Sequence, residues 1–120
     1  MNVQATKGVR IPTKAVTGLI VDAMIKVGVP KGDGARIAEL MLEADLVGAD
    51  AHGVFRLPQY VQRLKLGSTN PRPNITVQRS APATALVNGD NGMGHLVVVR
   101  AAETAVELAQ RRKPDLVFMD

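Results

Sequence analysis

The strongest constraint on this chain is a helical spacing of aliphatic residues that recurs between glycines. Val16, Leu19, Ile20, Ala23, Met24 and Val27 follow the three- and four-residue steps of one helical face, and Gly28 ends the stripe. Pro12 suits the first helical turn, where its missing N–H costs nothing. A second start at "GVPKGDGA" leads into Ile37, Leu40, Met41, Ala44 and Val47, with a stop near Gly48. Leu57, Val61 and Leu64 mark a shorter third helix that ends at Gly67. Three amphipathic helices joined by short turns are predicted to pack as a small bundle, because each has one apolar stripe to bury.

The character changes at "GSTNPRPN", Gly67 to Asn74, whose density of breakers reads as a linker. Beyond it, "ITVQ" and "TALVNG" are short β-type segments on either side of Ala81-Pro82, followed by a turn at Gly89-Asp90-Asn91-Gly92. A long helix comes next, with Val98, Ala101, Ala102, Ala105, Leu108 and Ala109 expected on its inner face. The closing "DLVFMD" reads as the start of a further strand around Leu116 to Phe118. The expected class is α+β: a helical N-terminal domain over residues 1–67, then a partial α/β unit over residues 68–120. An unfinished sheet of this kind is expected to find strands in a partner or in further chain, so self-association is anticipated.

Composition narrows the function classes. A chain with 46% hydrophobic and 22% charged residues can build a core and is not disordered by composition. Without cysteine it has neither a disulfide framework nor a thiolate metal site, which fits a reducing cytoplasm. No apolar run reaches membrane-spanning length. The net charge is +4, but apart from Arg111-Arg112-Lys113 the cations are scattered, and aromatics are only 2% of the chain. That pattern argues against nucleic acid as a partner, since it offers neither a basic stripe nor a stacking platform. Glu43 and Asp45 share a helix but have no histidine at ligand spacing, so no metal site is expected.

One stretch departs from the aliphatic pattern. "ADAHGVFRLPQY", Ala49 to Tyr60, carries His52, Arg56 and Tyr60 at steps of four. Pro58 is tolerated only in a first turn, which places the helix start near Val54 or Phe55, with His52 ahead of it and Arg56 in its first turn. Steps of four residues drift by only about 40° around a helix, so the three side chains can share a face. An arginine near a helix N-terminus opposes the dipole, yet it can grip a carboxylate with two parallel hydrogen bonds. His52 beside it could carry a proton to or from an oxygen on the neighbouring carbon, with Tyr60 adding a hydroxyl contact. The implied substrate is a small acid bearing a hydroxyl, carbonyl or imine group next to its carboxylate. The plain alternative is a turn followed by a surface helix. Asp50 is expected to cap the third helix, or else to orient the ring of His52. The glycines of "GDNGMG" do not follow dinucleotide spacing and read as a tight turn, with His95 beyond it partly exposed rather than catalytic.

Two blocks, "EADLVGADAHGVFRLPQYVQRLKLG" and "PATALVNGDNGMGHLVVVRAAETAVELAQ", resemble in order and spacing the type 2 malate/L-lactate dehydrogenase family. That family also takes in ureidoglycolate and sulfolactate dehydrogenases, diketogulonate reductase and cyclic-imine carboxylate reductase. The resemblance runs from about Ile11 to Gln110. It implies a NAD(P)-dependent oxidoreductase of 2-hydroxy or 2-oxo acids, dimeric, with a helical N-terminal domain and an α/β domain that is not a Rossmann fold. It matches His52 to a proton-donating histidine, and Arg56 and Tyr60 to substrate-binding positions. Ala51 stands where the family has serine, which removes one hydroxyl contact. Arg111-Arg112-Lys113-Pro114 stands where a glycine-bearing turn is expected, and a second histidine and the cofactor residues of the much longer family members follow only beyond this chain. The expectation is therefore the front portion of such an enzyme, inactive alone and binding no cofactor, while the full-length family uses NAD or NADP. The alternative is a non-catalytic helical module that self-associates or binds a protein partner.

Overall fold

Each of the first three helices ends where a glycine can take a left-handed conformation. The computed structural model describes residues 8–112, with α1 at Thr13–Lys26, α2 at Lys31–Leu46 and α3 at Leu57–Lys65. Gly28, Gly48 and Gly67 follow them with φ of 94°, 81° and 74°, a conformation that closes a helix without steric penalty only when no Cβ is present. Pro12 and Pro30 stand at the N-caps of α1 and α2. Ile20 and Met24 of α1 meet Ile37, Ala38 and Met41 of α2 in a fully buried core, to which Leu57 and Leu64 of α3 add. Burying each large aliphatic side chain contributes about 1.5–3 kcal/mol. The predicted stripes were drawn too wide at two places. Leu19 is 58% exposed on the outer edge of α1, and Val47, 74% exposed, lies at the C-cap of α2.

The third helix starts later than its spacing predicts. Two short 3₁₀ turns, Asp50–His52 and Val54–Arg56, precede it, and the second occupies the segment assigned to its first turn. Arg56 is thus the N-cap residue rather than a first-turn residue, and Pro58 sits in the true first turn. The tight turns hold themselves by backbone bonds from His52 to Ala49 and from Arg56 to Gly53. Three-residue closure suits this connection because it turns the chain sharply within a few residues.

The predicted strands form a hairpin. β1 (Thr76–Ala81) and β2 (Thr84–Asn88) pair antiparallel, Val77 opposite Val87, with an irregularity between Arg79 and Ala81. α4 (Gly94–Arg112) packs on β2 and on α2. An Arg79–Glu107 ion pair of 3.1 Å and a bond from Arg112 Nε to the Pro82 carbonyl tie it to the hairpin. Its inner face is centred on Thr104, 3% exposed, whose hydroxyl donates to the Arg100 carbonyl. Val98 was expected on that face but is 54% exposed. Six residues from Thr104 corresponds to about 120° around a helix, which carries Val98 off the packed side. The strand expected around Leu116 to Phe118 lies outside the described residues.

The linker and the turn before α4 are stapled together. The Asp90 carboxylate accepts from the Asn70 side chain at 3.0 Å and from the Asn74 backbone at 2.8 Å. Asn91 adds a bond from its side chain to the Ser68 carbonyl, and its own carbonyl accepts from Asn70. Both Asp90 and Asn91 hold positive φ, 49° and 56°, which short polar side chains tolerate best. Met93, just past the turn, is buried in the core that the first three helices form. Asp90→Ala removes both acceptor contacts and should lower the unfolding free energy by about 1–2 kcal/mol in urea denaturation. Asp90→Asn keeps one acceptor oxygen and should lose less.

Candidate functional site

Where α2 hands over to α3, the backbone folds around one carboxylate. Asp45, in the last turn of α2, accepts the Val54 N–H at 2.9 Å. A Cβ on Gly53 would overlap that carboxylate, so glycine is what allows the approach. Asp50 was expected to cap α3; instead the α3 N-terminus has no side-chain cap, and Asp45 supplies the acceptor one turn earlier. A cap read from local sequence misses an acceptor that arrives from the preceding helix.

The three residues of the opening motif are placed differently from one another. His52 is exposed at the end of the first 3₁₀ turn. Arg56 is half-buried, its Nε donating to the Ala51 carbonyl at 2.8 Å and its Nη1 to Gln59 Oε1 at 2.9 Å. Tyr60 is half-buried on α3, and its ring meets the ring of His95 edge-on, with centroids 5.3 Å apart. His95 belongs to the first turn of α4 and is partly exposed, as expected. It is half-buried against Tyr60, and the two residues line one cleft. Nothing near His95 in the sequence signals this pairing, because its partner lies on another element.

The cleft is open, about 600 Å³, between α3 and the start of α4, lined among others by Tyr60, Arg63, Ser68, Asn91, Gly94 and His95. His52 and Arg56 stand outside that lining. Burial first, and then the positive charge of nearby His52, hold His95 below the ordinary imidazole value of 6.5. Its Nδ1 is buried without a partner. An orphaned N–H costs more than an orphaned lone pair, so the proton belongs on Nε2, which leaves a neutral ring with a donor at that nitrogen.

A Cβ on Gly89 would run into Val97, and one on Gly92 into Pro73, so these glycines make room for the protein's own side chains. Among the described residues no three His, Asp or Glu side chains gather as a metal site.

The depressed His95 value has a sign for stability. The unfolded chain binds a proton that the folded chain resists, so the contribution is complete above pH 6.5 and is lost as pH falls toward the lower folded value. Urea denaturation of the wild type and His95→Gln should show a gap in stability that narrows on acidification below that pH. A gap constant across the range would contradict the assignment.

Comparison with known proteins places this geometry. Residues 11–113 match the family described as malate/L-lactate dehydrogenase. The chain is 44% identical over 92 residues to L-sulfolactate dehydrogenase of Methanocaldococcus jannaschii, covering 77% of this chain and 27% of that protein. It is 37% identical over 102 residues to malate dehydrogenase of Pyrococcus horikoshii, covering 85% and 28%. The solved structure of the Pyrococcus horikoshii enzyme matches with a TM-score of 0.81 at 36% identity, over 87% of this chain and 30% of its own. The Methanocaldococcus jannaschii sulfolactate dehydrogenase structure matches with a TM-score of 0.77 at 41% identity, over 82% and 28%. The chain therefore spans under a third of the length of these relatives. With sequence and fold agreeing along nearly all of its described residues, the chain belongs to the malate/L-lactate dehydrogenase family.

Proposed function

We propose that this chain supplies the substrate-side groups of a NAD(P)-dependent oxidoreductase that interconverts small 2-hydroxy and 2-oxo acids. The observation that carries the reading is the family match over residues 11–113, which contains His52, Arg56 and Tyr60 in one uninterrupted segment. Relatives are named for L-sulfolactate, malate and ureidoglycolate, which share a hydroxyl beside a carboxylate. In this reading His52, the exposed group, holds or releases the proton of the substrate oxygen. Arg56 meets the carboxylate through Nη2 and the second N–H of Nη1, since Nε and one Nη1 hydrogen are used by Ala51 and Gln59. Tyr60 contributes its hydroxyl. Ala51 serves through its backbone carbonyl, so a serine there would leave the Arg56 bond intact. The nicotinamide cofactor, NAD or NADP, is that of the full-length family, and the chain by itself is read as binding none.

A chimera in which this chain replaces the matching segment of the Methanocaldococcus jannaschii enzyme tests the reading. It should oxidise a 2-hydroxy acid. Within it, His52→Ala should lower kcat by about 10²–10⁴-fold, as expected for loss of a general acid/base. Arg56→Ala should mainly raise KM, by roughly tenfold or more, the scale of a hydrogen bond to a charged group. A chimera that folds and binds cofactor but turns over no hydroxy acid overturns the proposal.

We further propose that the chain is cytoplasmic and self-associates. Among the described residues no helix is long and apolar enough to cross a membrane. Phe55 is 74% exposed and, with Leu46 and Val47, leaves apolar surface beside the α2–α3 turn that a second copy could cover. Sedimentation of the 120-residue chain with NADH, following cofactor absorbance, should show a dimer or larger species with no co-sedimenting cofactor. A monomer at all concentrations, or cofactor travelling with the protein, contradicts this part.

A further inference from the structure

We propose that Arg63 is a specificity residue that receives a second, non-reacting anionic group of the substrate, so that the cleft selects dianionic hydroxy acids over monoanionic ones. This rests on the reading of the chain as the substrate side of a hydroxy-acid oxidoreductase. Three placements support it. Arg56, Tyr60 and Arg63 fall at i, i+4 and i+7, so they lie along one face of α3 with the tyrosine between the two guanidiniums. At 1.5 Å per residue the two arginines are separated by about 10 Å along the axis, and the Arg63 side chain, leaning toward Tyr60, can reach the far end of a short diacid held at Arg56.

The two arginines also differ in their commitments. Arg56 is held by Ala51 and Gln59 and stands outside the cleft, whereas Arg63 lines it. Among the described residues the Arg63 guanidinium has neither an ion-pair partner nor a hydrogen bond, while its backbone carbonyl receives Ser68 and Thr69.

The third placement is the charge of the cleft. Its lining includes no carboxylate. The nearby acid, Asp90, already accepts from Asn70 and Asn74. A guanidinium without a protein partner on the wall of an open cleft can pair with an incoming anion. The His95 ring lines the same cleft, and in its neutral form it offers an N–H donor there. A carboxylate or sulfonate fits these groups. A phosphate of the cofactor shares that chemistry, and the experiment separates the two.

The test reads binding, not turnover, by following the ring resonances of Tyr60 and His95 in NMR spectra of the labelled chain. Malate should shift both saturably, and lactate, which lacks the second carboxylate, should bind at least about tenfold more weakly, the scale of one charge-assisted contact. Arg63→Ala should weaken malate by roughly 10–100-fold and leave lactate unchanged, with Arg63→Lys in between. The Arg63 side chain is exposed and the backbone bonds remain, so the variant is expected to keep its dispersed spectrum. Lys65→Ala, an exposed cation on the same helix, should leave malate binding unchanged.

Equal affinity for malate and lactate, no shift with either, or no effect of Arg63→Ala overturns the proposal. Inorganic phosphate or NADH competing malate out at lower concentration would assign the cleft to the cofactor instead, and also overturns it. Failure of the chimera to oxidise hydroxy acids while malate still binds through Arg63 would sink the enzymatic reading and leave the anion site standing. A working chimera without Arg63-dependent malate binding would do the reverse.

Discussion

A single carboxylate, that of Asp45, fixes where the chain leaves α2 and how it enters α3. It sits where a Cβ on Gly53 would have to be, and it takes the Val54 N–H that would otherwise be unpaired at the start of a 3₁₀ turn. One charge-assisted bond and one missing methyl group therefore set the path of the segment that carries His52 and Arg56. The turn is then closed from its other side by Arg56, whose Nε holds the Ala51 carbonyl. That bond links the start of α3 to the residue just before His52.

The second half of the site is built by a separate device. Asp90 and Asn91, both at positive φ, gather the Ser68–Asn74 segment, and Met93 then anchors the chain in the core of the first three helices. Only after that anchor does α4 begin, so the position of His95 is fixed relative to α3 and not merely to the hairpin. The edge-on contact with Tyr60 follows from this. Aromatic edges carry partial positive charge and prefer the face of a neighbouring ring, a preference worth about 0.5–1.5 kcal/mol beyond the buried area.

Together these arrangements make a site of graded polarity. His52 is open to solvent, Arg56 is half-committed to its own turn, and Arg63 faces the cleft without a partner of its own among the described residues. Burial and the charge of His52 both act against protonation of His95. The formal positive charge of the cleft lining then rests on the Arg63 guanidinium. That charge is what a small anion would read.

Much of this was legible in the sequence. The helices, the hairpin and the glycine stops follow from periodicity and from residues whose backbone preferences are local, and the α+β class follows from their order. The His52–Arg56–Tyr60 motif was visible because histidine and tyrosine are rare in this chain and fall at helical steps from an arginine, and the family blocks around it gave it meaning. Arg63 was also within reach, since its spacing from Tyr60 is helical. The late start of α3 was not legible, because the acceptor that replaces the first turn comes from Asp45 on the preceding helix. Nor was the pairing of Tyr60 with His95, or the exposure of Val98, because these depend on the angle at which α4 meets α2 and α3. Sequence by itself determined what can be settled by interactions within a turn or two of chain. The tertiary structure decided everything that needed a partner from a distant segment, because only packing brings such groups within hydrogen-bonding distance.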